Sequence, residues 1–244
     1  MRVTQALFIK QLKDFTKNMS VTIMFVMFPV LSFLMTSFMP ETMADDAIFQ
    51  NLNFAAMFMG MGPLVYVANT IAEDKEHKSL RFLIMAGVKS AQYLAGIIIF
   101  AVLMSIPGLL AFALIGGLEM QQVPLFVGVG LLGCIASSLL GATVGVFAKN
   151  VQQCAAYYTP LMMVMSFMPM MAFFNDTVAV VADFVFTRQI MLALLDIQIG
   201  IPYELANIGP LPSDMSTAMI VVGVSAAVFA ILFGVVYKKK GLAK

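Results

Sequence analysis

The stretch NDTVAVVADFVFTRQIMLALLDIQIGI, residues 175–201, is apolar and nearly long enough to cross a bilayer, yet it carries Asp176, Asp183, Arg188 and Asp196. Its reading decides the topology. A charged residue near the bilayer centre costs about 2.5–3.5 kcal/mol even on the lenient insertion scale. A crossing here would also put Lys238, Lys239 and Lys240 on the side away from most other basic residues, against the positive-inside rule. The stretch is therefore expected to form one or two short helices that re-enter the membrane or lie on its outer leaflet. The loop YELANIGPLPSD then leads to the last span.

Outward from this segment, apolar runs at 20–39, 51–72, 91–116, 123–148, 154–174 and 216–237 are each essentially free of charge. About 20 helical residues cross a hydrocarbon core of roughly 30 Å, so all six are expected to span. The composition agrees. The chain is 61% hydrophobic and 11% charged with a mean hydropathy of +0.95, whereas a soluble domain is about half apolar and about a quarter charged. The expected fold is an all-α membrane protein, one transmembrane domain over residues 1–244, with residues 175–215 extracellular. Six spans leave both termini on one side. Of the 14 basic residues only Arg188 then falls outside, which makes both ends cytoplasmic.

Residues 1–19 place Phe8, Ile9, Leu12, Phe15 and Met19 on one helical face and Lys10, Lys13, Asp14 and Lys17 on the other, the pattern of a helix lying in the interface. The apolar run that follows is longer than a signal-peptide core and lacks a clear small-residue cleavage site, so it reads as a retained span. Cys134 and Cys154 fall at different expected depths, which argues against a disulfide between them.

Several chemistries lack their residues. The net charge of +1 comes without a basic patch interleaved with aromatics, so no nucleic-acid partner is expected. Intramembrane hydrolases and proton-driven carriers need ionisable groups inside their spans, and the six spans contain none. Gly128, Gly130 and Gly133 spell G-x-G-x-x-G, but inside an apolar span rather than between a strand and a helix, so no dinucleotide site follows. The same span repeats small residues every four positions, Gly133, Ser137, Gly141 and Gly145, a stripe that lets another helix approach closely. Glu73, Glu76 and His77 share a helical face that could hold a metal, but no second histidine exists and the adjacent Lys75 and Lys78 read as a solvated charged surface; no metal is expected.

Residues 73–96, EDKEHKSLRFLIMAGVKSAQYLAG, gather six charged residues and the only histidine into their first nine positions. A cytoplasmic helix with Glu73, Glu76, His77 and Arg81 toward its start and Leu80 and Leu83 along a stripe offers ion pairs and an apolar anchor, as a protein interface requires. Glu76, Ser79, Leu80 and Leu83, then Tyr93, Leu94 and Gly96, resemble the loop after the second span of ABC type-2 permeases, where the pattern is E-x-G-[TS]-L, a short apolar helix and a Tyr-Leu-x-Gly entry to the third span. The chain departs from it at Lys78, where glycine is usual, and at Gly87, where proline is usual.

That resemblance implies a coupling helix docked on a separate ATPase, with Glu73, Glu76, His77, Leu80, Arg81 and Leu83 as coupling residues within a loop at 73–90. It also implies a second permease copy or homologue in the membrane, and a cargo path along the second and fifth spans, nominating Met59, Tyr66, Asn69, Tyr157 and Met165. No G-x-x-x-x-G-K-[ST] occurs, so ATP and Mg belong to the partner and the chain itself binds no cofactor. The expected function is the permease subunit of an ATP-driven exporter in a bacterial plasma membrane. A path rich in methionine and phenylalanine, without charge, suits hydrophobic or amphipathic cargo such as a drug, lipid or peptide. The alternatives are a secondary carrier and a non-transporting membrane anchor.

Overall fold

In a computed structural model of the 244-residue chain, the described residues are 11–13, 15, 19–79, 85, 90–199, 211 and 214–240. They form helices α1 (Met19–Ser37), α2 (Ala44–Glu76), α3 (Ser90–Ile115), α4 (Val123–Phe147), α5 (Val151–Met171), α6 (Asp176–Ala182), α7 (Phe186–Ile199) and α8 (Met215–Lys240), with a short 3-10 turn at Glu41–Met43. Among the described residues there is no strand.

Helix α2 is the least apolar of the long helices, with Asn51, Asn53, Asn69 and Thr70 along it, and it takes the interior position, where protein can satisfy polar groups that lipid cannot. It contacts α1, α3, α4, α5 and α7, and Leu52, Ala55, Phe58, Met59, Leu64, Val67, Ala68 and Ile71 have no exposed surface. At the other extreme α8 rests on α4 and α7 and turns Ile220, Val224, Val228, Ile231 and Val235 outward. In a lipid solvent as apolar as these side chains that exposure carries no penalty.

The small-residue stripe of α4 is where it meets α2. A Cβ at Gly145 would lie 2.9 Å from the Ala68 carbonyl oxygen and 2.9 Å from the Ile71 Cβ, and one at Gly141 would overlap the main chain of Leu64. Ser137 Oγ donates to the Met59 carbonyl from the same stripe. Two of the three glycines in the G-x-G-x-x-G run also serve packing: a Cβ at Gly130 would strike Leu109 and one at Gly133 would strike Ile190, while Gly128 faces open space.

Among the described residues, four helices qualify by length and apolar character to cross a membrane, Asp46–Glu76, Gln92–Ile115, Val123–Phe147 and Met215–Lys238, and a bent pair makes a fifth if it counts as one span. The other two expected spans correspond to α1 and α5. Helix α1 is a 19-residue apolar helix, and α5 opens with Gln152 and Gln153 and carries Tyr157, Tyr158 and Thr159.

The bent pair is the segment that decides the topology. Within it, residues 176–199 form two helices, α6 and α7, which meet at 98°. Asn175 caps α6, its Oδ1 accepting from the Thr177 and Val178 amides at 2.9 and 3.3 Å. Helix α7 does not lie on a surface: Phe186 through Leu195 are buried, packed on α2, α4, α5 and α8. Of its four charges, Asp176 and Asp196 are exposed, and the other two neutralise each other. Arg188 Nε donates to Asp183 Oδ1 at 3.2 Å with both side chains at most 3% exposed, and the guanidinium lies 4.7 Å over the Phe173 ring. Asp183 Oδ2 accepts the Leu211 amide at 3.3 Å, and its carbonyl accepts Gln189 Nε2 at 2.8 Å. Of the following loop, Leu211 and Asp214 are described and the rest lies outside the described residues.

Of the expected interfacial helix at 1–19, residues 11–13, 15 and 19 are described. Leu12 is exposed, as its expected face requires, whereas Gln11 and Phe15 turn into the bundle. Gln11 Oε1 accepts from Tyr66 Oη at 2.6 Å. The Phe15 ring sits 5.4 Å from Phe25, 5.8 Å from Tyr66 and 6.0 Å from Phe100.

Candidate coupling site

Helix α2 runs past its apolar core into EDKE and stops at Glu76, with the His77 amide donating to Glu73 O at 2.9 Å. Lys78 follows at φ 57°, in the left-handed region where a Cβ costs about 1–2 kcal/mol and which helix ends commonly fill with glycine. This is the position where the resembled pattern has its glycine. It also corrects the expected placement: Glu73, Glu76 and His77 do not open a separate helix but form the last turn and cap of α2. Leu80, Arg81 and Leu83 lie outside the described residues. Met85, beyond them, is exposed.

Asp74, passed over in the sequence, is 7% exposed. Its Oδ1 accepts from Ser79 Oγ at 2.6 Å and its Oδ2 from Tyr93 Oη at 2.5 Å. A buried tyrosine hydroxyl needs a partner. The motif residues Ser79 and Tyr93 find theirs on one carboxylate, which ties the end of α2 to the residue after the turn and to the first turn of α3.

Lys75, read from the sequence as solvated, is half-buried. Its Nζ donates to the carbonyls of Gly145, Val146 and Ala148 at 3.4, 2.8 and 2.5 Å, the C-terminal end of α4. The last carbonyls of a helix lack intrahelical donors and carry partial negative charge, so a cation is the matching cap. Glu76 does the reverse at α5, its Oε2 accepting the Val151 amide at 3.0 Å, a carboxylate on a positive helix start. Between the two, Asn150 Oδ1 caps the Gln153 amide at 2.8 Å and Gln153 Oε1 takes the Lys149 amide at 2.8 Å, so the α4–α5 turn is internally bonded. Sequence reasoning missed this joint because its partners are main-chain atoms, which leave no signature.

The five residues nominated for a cargo path do not share a surface. Met59 and Tyr66 are buried because neighbours surround α2 within this one chain, and Tyr66 faces Phe25 and Phe100. Asn69 and Tyr157 lie where α2 meets the start of α5: Asn69 Nδ2 donates to Tyr158 Oη at 3.4 Å, and Gln153 Nε2 donates to Tyr157 Oη at 2.9 Å. Met165 is half-buried, and its carbonyl accepts from Thr187 Oγ1 at 2.5 Å. What α5 turns outward is another row, Ala156, Thr159, Met163, Phe167 and Met171, which the sequence nominations omit although the three- and four-residue spacing was readable.

Residues 44–237 match the family model described as ABC-2 family transporter protein. No curated protein matches the chain.

Proposed function

We propose that this chain, which belongs to the ABC-2 transporter family, is the permease subunit of an ATP-driven exporter and works with a separate ABC ATPase that binds the ATP and Mg. The observation that carries the reading, beside the family, is the built end at Asp74–Ser79. One turn of the central helix is bonded to α3, α4 and α5, so a force applied there reaches most of the bundle. The ATPase docks at the loop over residues 73–90, using Glu73 and His77 with Leu80, Arg81 and Leu83. Six spans, counting α1 and α5, put both termini in the cytoplasm of a bacterium, with α6 and α7 re-entering from outside. A second copy or a homologue faces α5 across a path for drug, lipid or peptide cargo, lined by the row Thr159, Met163 and Phe167. Membrane lipid covers α8.

A second reading has one observation in its favour. Asp183 and Arg188 are ionisable groups buried within the bundle, the kind of pair an ion-coupled secondary carrier uses. Reconstitution into liposomes separates the two. With the ABC ATPase, sought first in the neighbouring gene, the chain is expected to move a fluorescent amphipathic cargo only when ATP is supplied. Uptake by the chain alone down a proton or sodium gradient would establish the carrier, and no movement under either condition would leave a membrane anchor.

A further inference from the structure

Asp74, Lys75 and Glu76 are consecutive, and successive side chains of a helix point about 100° apart. One turn of α2 therefore addresses three neighbours, α3 through Tyr93, the end of α4 through its carbonyls and the start of α5 through the Val151 amide. The charge signs match both helix ends, cation on the negative terminus of α4 and anion on the positive terminus of α5. Hydrogen bonds with an ionised partner are short and strong.

We propose that Lys75, with Glu76, is the positioning residue through which displacement of the α2–α3 loop is passed to α4 and α5. The inference rests on reading the chain as an ATPase-coupled permease, and it assigns a path to the motion. Asp74 fastens the loop to α2 by way of Ser79. Lys75 and Glu76 fasten α2 to the α4–α5 turn, which the Asn150 and Gln153 bonds close into one unit. Loop, helix end and turn then move together, and α5 is carried along with the outward row proposed to line the path.

Lys75→Met tests this, because the abandoned carbonyls lie at the cytoplasmic end of α4, where water can replace the ammonium and the fold can survive. Arginine keeps both charge and donors. In proteoliposomes containing the partner, Lys75→Met is expected to keep ATPase capture and basal ATP hydrolysis within twofold of wild type while cargo moved per ATP falls at least tenfold. Lys75→Arg is expected to restore that ratio to within threefold of wild type. Spin labels on His77→Cys and Gln152→Cys, both at exposed positions, give a readout that needs no partner: one narrow distance distribution in the otherwise unaltered chain and with Lys75→Arg, and a broad one with Lys75→Met. An unchanged distribution in Lys75→Met overturns the joint, as does cargo per ATP within twofold of wild type or a loss that arginine does not repair. If the unaltered chain shows no ATP-driven transport, the exporter reading fails by itself, and the labels still decide whether the three helix ends form one body.

Discussion

Gly141→Leu is expected to abolish folded protein, with the chain lost to aggregation when extracted in mild detergent, whereas Gly128→Leu in the same helix is expected to behave as wild type. Both positions lie in α4, so propensity and hydrophobicity change equally and only the neighbour differs. Gly128 has no heavy atom within 4 Å of an added Cβ, but at Gly141 the obstacles are the Leu64 carbonyl oxygen, carbonyl carbon and Cα. A side chain can rotate away; the main chain of a buried helix cannot. Overpacking ordinarily costs about 1–3 kcal/mol and occasionally more, and here the whole leucine must be housed by parting α2 from α4 along the stripe that includes Ser137 and Gly145. Domains are stable by only about 5–15 kcal/mol. Size-exclusion profiles and thermal unfolding of the two variants side by side make the comparison. Equal behaviour would mean that the stripe does not set the approach of α2 and α4.

The second large effect is expected at the bend between α6 and α7. Asp183→Ala strands the Arg188 guanidinium in the interior, and removing one partner of a buried pair costs about 3–5 kcal/mol. It also deprives the Leu211 amide of its acceptor. Replacing both charges, Asp183→Leu with Arg188→Met, removes the stranded ion and is expected to recover at least half of the loss, since well-packed apolar pairs often equal buried ion pairs. Thermal unfolding of Asp183→Leu, of Arg188→Met and of the double variant measures the coupling. Additive losses, with the double variant no better than the sum of the singles, would show that the two charges do not serve each other.

What could be read from the sequence follows from what leaves a chemical trace along it. Small residues every four positions in α4 have a reading in close approach, and the structure sets them on α2. The segment at 175–201 was legible as something other than an ordinary span, but for an incomplete reason. Asp183 and Arg188 were treated as two separate penalties, when five residues of chain and a sharp bend bring them together as one pair. Lys75 and Glu76 were illegible, because a helix end some 70 residues further along looks like any other apolar run once its carbonyls and amides are the partners. Lys78 stood between these cases: the missing glycine was visible, and the left-handed backbone that explains it was not. Met59 and Tyr66 were nominated for a path by resemblance alone, and in this chain both are buried on a helix with five neighbours around it.

The most direct test of the central claim, that an ATPase docks at the α2–α3 end, is a short-range cross-link from a single introduced cysteine. Cys134 and Cys154 are both buried, so an introduced thiol is the reactive one. Met85 is 74% exposed in the α2–α3 loop and Met120 is 81% exposed in the α3–α4 turn. Helix α3, 26 residues long, separates them by about 39 Å at 1.5 Å per residue, more than a short linker spans. The account predicts that Met85→Cys captures the ATPase and Met120→Cys does not; capture at Met120→Cys, or at neither position in a complex that remains intact, would contradict it.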